Sequence, residues 1–352
     1  MKQARRKQSS RRLTFAWTHP LVLTHRCAYR CGYCPYPASA GPALPSKTSV
    51  QQSLAYARSL GLVQVRITGG EALENHPEIV STYRFYGYRS FTDYLKSIIG
   101  EMAQNGVVPP IFPELDLGAL SLFQMQTLRS HIFTLRMYLD SMDTKLQHGV
   151  VHGQSKGKWA KSRVDALVTA GRLRIPVNSG TMIGIGERPE MRESALRVLG
   201  QIAVHHGHIQ SVAIHPFEPR ARTPMSHLAR PPVELLLETV ALARRVLPRQ
   251  VAIQFPVTHC PEHVLEFIEA GVDDLGEFEL SGDARADATN INAYRIVRDH
   301  LSKRGYEMID RLSLFPAFST PQWMPPRYQE LLRSPVLDAF AEADPEKILG
   351  LA

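Results

Sequence analysis

The strongest constraint on the fold is a rhythm: short β-rich apolar runs alternate with longer amphipathic stretches along the whole chain. The runs are 15–23 (FAWTHPLVL), 63–68, 107–112, 133–139, 175–184, 209–217, 251–256 and 272–278. Brief stretches rich in Val, Ile, Phe and Thr read as strands, and apolar residues at helical spacing between them read as crossover helices. In WAKSRVDALVTAGRL, Val164, Leu167, Val168 and Leu173 fall on or near one face, and PVELLLETVALARRVLP is bracketed by prolines. Eight such alternations over 352 residues fit a TIM-like (β/α)8 barrel in the α/β class. A doubly wound open sheet shares the alternation and is the second reading. No repeat and no interdomain linker interrupts the chain, so one barrel domain is expected over 14–325, with a basic flexible tail at 1–13 and a C-terminal extension at 326–352 packed on the barrel. Phe315, Phe318 and Trp323 either cover the barrel mouth as a lid or anchor the last segment.

Charge narrows the function classes. The first twelve residues hold six Lys and Arg, while the whole chain has a net charge of only +8, so the body is nearly balanced. With no basic surface interleaved with aromatics after it, the tail reads as solvated and nucleic acid is not expected as a partner. No apolar run is long enough to span a membrane, and the stretch after the tail is too short and interrupted for a secretory signal. Four cysteines are too few for a disulfide framework, and three of them are crowded together. That usage points to a reducing compartment, the cytoplasm by default, and to a metal site.

The crowded cysteines lie in His25-Arg26-Cys27-Ala28-Tyr29-Arg30-Cys31-Gly32-Tyr33-Cys34, directly after the first strand. Barrel enzymes build their sites at that edge. Three thiolates leave one iron of a four-iron cluster without a protein ligand, the open position that catalysis needs. Structural zinc would want a fourth ligand, for which His259 and Cys260 are the candidates. Two further motifs end strands: Thr68-Gly69-Gly70-Glu71 after the second, and Gly180-Thr181-Met182-Ile183-Gly184-Ile185-Gly186-Glu187 after the fifth. Each alone reads as a turn; in order with the cysteines they form a constellation.

The Cys-x3-Cys-x2-Cys spacing with an aromatic before the last cysteine resembles the signature of the radical S-adenosylmethionine (SAM) superfamily, and the two strand-end motifs are similar to its GGE and GxIxGxxE elements. The resemblance sharpens toward the CofG-type family of deazaflavin (FO) synthases. It rests on His152-Gly153-Gln154-Ser155-Lys156-Gly157-Lys158 with Arg163, on Gly171 to Glu187, on Gly207-His208-Ile209-Gln210 with Phe217-Glu218-Pro219 and Thr223-Pro224-Met225, and on Ala270-Gly271-Val272-Asp273-Asp274. It spans about Val22 to Trp323. It implies a lyase or synthase type of enzyme with a 4Fe–4S cluster on Cys27, Cys31 and Cys34. SAM on that cluster is cleaved to a 5′-deoxyadenosyl radical that abstracts hydrogen from a small molecule. In this family a tyrosine-derived adduct of a ribitylaminouracil is cyclised with loss of ammonia. An electron donor such as flavodoxin or ferredoxin, and an upstream radical SAM enzyme that supplies the substrate, are the implied partners.

Carried over residue by residue, the resemblance assigns SAM contacts to the backbone of Tyr33, to Gly69, Gly70 and Glu71, to Asp140 (where the family usually has Glu) with Ser141, to Arg163 at the SAM carboxylate, to Gly184 and Glu187, and to Phe217 against adenine. For the substrate the candidates are His215, whose strand position allows it to face the interior as an acid–base group, and Glu277, which should point the same way as Glu279. The alternatives are a hydrogen-bonded core histidine, a wet rim for the two glutamates, and plain core packing for Phe217. The substrate half departs from the family pattern. Pro110-Ile111-Phe112-Pro113-Glu114 stands for an HTNPG-like segment after strand three. Phe255-Pro256-Val257-Thr258-His259-Cys260 replaces a PPNL-like end, and Leu275-Gly276-Glu277-Phe278-Glu279-Leu280 follows Asp273-Asp274. A CofG-like enzyme with a different substrate is therefore the alternative function, and a structural iron–sulfur or zinc protein the remote one.

Overall fold

The computed structural model describes residues 11–36, 41–102 and 109–333. Strand β1 (Arg11–Thr24) is unusually long because it serves three neighbours. Its last part pairs with β2 (Gln64–Gly69), His19 lying opposite Val65. Its middle pairs with β8 (Asp274–Glu279), and its first five residues pair with β9 (Tyr306–Asp310). Between β2 and β8 the order is β3 (Phe112–Asp116), β4 (Thr134–Arg136), β5 (Val177–Ile183), β6 (Ile209–Pro216) and β7 (Ala252–Gln254). The first and eighth strands meet, so the parallel sheet closes into a barrel and β9 is appended outside the circuit. The open-sheet reading is excluded.

Helices α1 (Lys47–Ser59), α2 (Pro77–Phe85), α3 (Phe91–Met102), α4 (Leu122–Leu128), α5 (Ala160–Arg172), α6 (Pro189–His206), α7 (Val233–Val246), α8 (Val264–Ala270) and α9 (Ala284–Ser302) follow the strands. Local chemistry sets their ends. Ser121 and Gln124 form a capping box at α4, each satisfying the other's backbone. Pro189 opens α6, and Gly207 closes it at φ 70°. On α5, Leu167 is fully buried and Val164, Val168 and Leu173 pack beside it, the face the spacing predicts.

Three expectations change. The third strand is Phe112–Asp116 rather than 107–112. Pro109 and Pro110 supply no N–H to a ladder, and 107–108 lie outside the described residues. Pro110 to Glu114 is therefore the approach to β3 and its first half, and the chain leaves the strand through Leu117-Gly118-Ala119-Leu120. Next, Arg11–Leu13, assigned by sequence to the tail, already belongs to β1; residues 1–10 lie outside the described residues. Finally, the C-terminal aromatics do not cover the mouth. After β9, Arg311 clamps Asp274 at the start of β8 with two 2.6 Å bonds. The Ser313 carbonyl takes Asn178, the Ser313 hydroxyl takes Thr134, and Gln210 accepts from the Phe315 N–H. Phe318, Met324 and Tyr328 of α10 (Pro326–Leu332) then pack on Phe112 and Phe133, with Phe315 and Trp323 at the edge. All these partners lie at strand beginnings, so this segment stoppers the N-terminal end of the barrel. Residues 334–352 lie outside the described residues.

Candidate active site

The cysteine loop leaves β1 and is clasped from both sides. On one side the Gly70 N–H donates to the Thr24 carbonyl, the Ala28 N–H donates to the Glu71 carbonyl at 3.1 Å, and the Glu71 and Tyr29 N–H groups approach Cys27 Sγ at 3.3 and 3.4 Å. On the other side the Gly32 N–H donates to the Val151 carbonyl at 3.0 Å, the Met225 N–H donates to Gly32, and Cys31 Sγ lies 3.2 Å from Ser155 Oγ. Two glycines make this fit. A Cβ at Gly70 would stand 1.8 Å from the Arg26 carbonyl oxygen, and one at Gly32 would stand 2.4 Å from that of Val150. Burial pushes the Cys31 thiol up to about 11, so with no cation at the sulfur the group is held neutral.

Next to the loop lies a buried ion network on the barrel's C-terminal edge. Arg163, 1% exposed on α5, places Nη2 at 2.6 and 2.7 Å from the two Glu71 oxygens. Lys158 Nζ reaches Glu71 at 3.2 Å and Asp140 at 3.0 Å. Burial works to raise both carboxyls, but the cations win and hold Glu71 and Asp140 below their ordinary values. Asp140 sits at φ 62°, with its N–H on the Gly180 carbonyl and its own carbonyl taking the Met182 N–H. Among the described residues, two buried polar atoms in this cluster, Asp140 Oδ1 and Arg163 Nε, have no protein partner. Buried polar groups are normally satisfied, so both suit a polar ligand between the cysteine loop and the barrel.

A cavity of about 260 Å³ continues from this network into the barrel. Where barrels of this kind are commonly filled by branched apolar side chains, this one carries charges. Arg66 of β2 pairs with Glu277 at 2.6 Å and with Glu279, while Arg136 of β4 pairs with Glu114 at 2.9 Å and with Glu277. Asn178 donates to Glu114 at 2.8 Å, and burial raises that carboxyl to about 7. Tyr138, Gln254 and Thr258 also line it. His215 lines the cavity with Nδ1 3.0 Å from the Pro216 carbonyl, and burial pushes it down to about 3.

The residues expected from the sequence divide accordingly. Cys27, Cys31, Cys34, Gly69, Gly70, Glu71, Asp140 and Arg163 are brought to one edge, although Arg163 and Glu71 are spent largely on each other. Glu277 and Glu279 do point the same way, both onto Arg66; buried against arginines, Glu277 forms no wet rim. Tyr33 turns its hydroxyl to His152 at 3.0 Å. Ser141 accepts from the Asp143 N–H, and Glu187 folds back on the N–H groups of Gly184 and Ile185 and on Arg192. Those three organise loops. Phe217, 1% exposed, packs among Leu146, Val151, Ile185 and Met225, which is the core alternative. His259 pairs with Glu218 at 3.0 Å and Cys260 packs on the core. Among the described residues, no three His, Cys, Asp or Glu side chains gather around a single-ion position. The sequence reading missed Arg66 and Arg136, and quoted Lys158 only within a motif without giving it a role. A lone arginine inside each of two apolar strands was the available signal, since an unpaired charge cannot face a closed interior.

Among the described residues no helix is long and apolar enough to cross a membrane. No family model matches the chain. It is 31% identical over 333 residues to the 7,8-didemethyl-8-hydroxy-5-deazariboflavin synthase of Archaeoglobus fulgidus, covering 92% of this chain and 95% of that protein. With the synthase of the same name from Methanosphaerula palustris the identity is 29% over 327 residues, again covering 92% and 95%. Among solved structures, the hydrogenase maturase HydG superposes with a TM-score of 0.71 at 14% identity, over 97% of this chain and 76% of that one. Methylornithine synthase (PylB) gives 0.61 at 16% identity, over 84% and 83%. These two show the fold.

Proposed function

From the premise that this chain belongs to the 7,8-didemethyl-8-hydroxy-5-deazariboflavin synthase family, a family of radical SAM enzymes, we propose that it carries out the ring closure of that synthesis on a tyrosine-derived ribitylaminouracil adduct. The observation that carries the reading is the pair of orphaned buried atoms, Asp140 Oδ1 and Arg163 Nε, between a three-cysteine loop and a polar cavity. The residues present fit the cofactors. Cys27, Cys31 and Cys34 would hold a 4Fe–4S cluster, and the Gly70 and Gly32 approaches leave the loop room for nothing larger than hydrogen at those positions. Asp140, Arg163 and the Gly69-Gly70-Glu71 edge would bind SAM. When bound, cluster and SAM together supply a 5′-deoxyadenosyl radical, chemistry that no side chain can provide.

The chain's own part is to orient and to insulate. Arg163 offers its free Nε to a carboxylate while Nη2 stays tied to Glu71, so the guanidinium is held in one pose before any ligand arrives. Asp140 offers Oδ1 to a hydroxyl or ammonium while Lys158 neutralises Oδ2. Inside the barrel, Arg66 and Arg136 share the wall with Asp116, Glu277 and Glu279, so it suits a polar substrate. His215, neutral at working pH with its Nδ1–H donated to the Pro216 carbonyl, accepts a hydrogen bond there at Nε2 without adding charge. The stopper at the opposite end makes the C-terminal mouth the way in. A one-electron donor of the flavodoxin or ferredoxin kind, and an upstream radical SAM enzyme that makes the adduct, belong to the same proposal.

The test is anaerobic incubation of the reconstituted protein with SAM, reductant and the adduct. Fluorescent deazaflavin formed together with 5′-deoxyadenosine is expected. Deoxyadenosine without deazaflavin would shift the assignment to a different substrate. The segment Pro110 to Glu114, which leads into β3 and forms its first half, and the end of β7 depart from the family pattern and favour that second reading.

A further inference from the structure

Two side chains in and behind the cavity wall have no role in the reading above. His259 follows β7 in a short turn and lines the cavity, and its Nδ1 lies 3.0 Å from Glu218 Oε1 in the loop after β6. Glu218 Oε2 is held by Arg230 Nη2 at 2.9 Å. Glu218 itself is not part of the wall; it stands behind the histidine. Because a carboxylate only accepts, Nδ1 carries the hydrogen, and the opposite nitrogen Nε2 has its lone pair free in the neutral ring. Among the described residues Nε2 has no hydrogen-bond partner. The neighbouring ring, His215, meets His259 edge to face at 5.2 Å and is pushed down to about 3 by burial, so it stays neutral and does not compete for a proton. His259 lies at the end of β7, where this chain departs from the family pattern.

We propose that His259 is the proton-transfer group of this cavity, with Glu218 as the positioning residue that fixes its tautomer and balances its charge. Nε2 takes a proton from a substrate N–H, O–H or acidified C–H, and the electron pair of that bond stays on the substrate atom. The resulting imidazolium lies against the Glu218 carboxylate, which lowers the cost of the charge. The proton is then returned to a departing group or lost to water, so the histidine ends neutral and no oxidant is consumed. The inference rests on the earlier reading only in that the cavity holds the substrate.

The test separates SAM cleavage from product formation in His259→Gln, His259→Gly, Glu218→Gln and Glu218→Asp. In His259→Gln, 5′-deoxyadenosine formation is expected within about threefold of wild type, while product falls at least about 100-fold, the usual scale for a lost acid–base group. Added imidazole should restore part of the product rate in His259→Gly. Glu218→Gln should lower kcat with KM little changed, and Glu218→Asp should recover much of the loss. Independently of activity, 15N-histidine NMR of the protein without cofactors should show His259 protonated at Nδ1, and a mixed tautomer in Glu218→Gln. Product formation by His259→Gln within about twofold of wild type overturns the proposal. So does a joint fall of deoxyadenosine, product and melting temperature that imidazole does not relieve, because that is the signature of a loop staple. If wild type cleaves SAM but makes no deazaflavin, the substrate reading fails alone. The NMR arm then decides the dyad: a His259 ring protonated at Nε2 in wild type refutes it.

Discussion

Arg163→Met tests the ion network most directly. The side chain is 1% exposed, and its Nη2 is 2.6 Å from Glu71, whose own side chain is 13% exposed. Removing one member of a buried pair costs about 3–5 kcal/mol, because the other charge is left uncompensated. Here Lys158 remains 3.2 Å from Glu71 and offsets part of the loss, so the low end, about 3 kcal/mol, is expected. At roughly 1.4 °C per kcal/mol for a chain of this size, the melting temperature should fall by about 4 °C. If Arg163 Nε also donates to the SAM carboxylate, affinity should drop by about 1.5–3 kcal/mol, roughly ten- to a hundredfold in Kd. The double variant Arg163→Met/Glu71→Gln separates the two effects. With both charges gone most of the stability should return, but the affinity should not. The pH dependence has a definite sign. Glu71 is held below its ordinary value, so its contribution is present above about pH 4.3 and is lost as pH falls through the folded value. The penalty of Arg163→Met should therefore shrink in acid. Calorimetric melting and equilibrium SAM binding on reconstituted protein give both numbers. An unchanged melting temperature with unchanged SAM affinity would refute the reasoning, and a double variant that regains SAM binding would refute the assignment to the carboxylate.

Two further outcomes follow. Changing Cys27, Cys31 or Cys34 singly to Ala should abolish cluster incorporation and 5′-deoxyadenosine formation while circular dichroism and melting stay close to wild type, since the loop lies outside the main core; full activity in any of the three would sink the cluster assignment. His208, buried behind α5, is pushed down to about 4 by burial, so it stabilises the fold above pH about 6.5 and loses that contribution, on the order of 3 kcal/mol, as pH falls to its folded value. His208→Leu should flatten the loss of stability between pH 6.5 and 4, measured by denaturant titration, and an unaltered pH profile would contradict a neutral buried ring.

What could be read from the sequence was set by range. The barrel was legible because strand and helix periods are local signals, and the cysteine loop because three ligands to one centre fit within eight residues. Gly70 could be singled out, but the reason for it, a carbonyl of the preceding loop where its Cβ would stand, depends on residues distant in sequence. Glu277 was picked for its strand phase, yet its partners Arg66 and Arg136 come from strands more than a hundred residues away, at separations of 211 and 141. Phe315 and Phe318 illustrate the opposite failure. Their apolar character announced burial, but nothing in their order indicated which end of the barrel they cover. The third strand was misplaced because Glu114 and Asp116 look like surface residues until the arginines facing them are known.

The pairing of β1 with β9 has a consequence for biogenesis. Arg11 and Tyr306 lie 295 positions apart, and the strand that opens the sheet is the one on which both the eighth strand and the last one must dock. At about 5–20 residues per second, a ribosome needs roughly 15–60 s to deliver that second partner. Throughout that interval the nascent sheet has an open, apolar flank and an unstoppered floor, while the thiols that follow β1 are already outside. The segment that follows β9 thus acts as the latch of the vessel. Shortening the chain before Tyr328 should show itself first in the yield of soluble protein at the end of synthesis, before any effect on turnover.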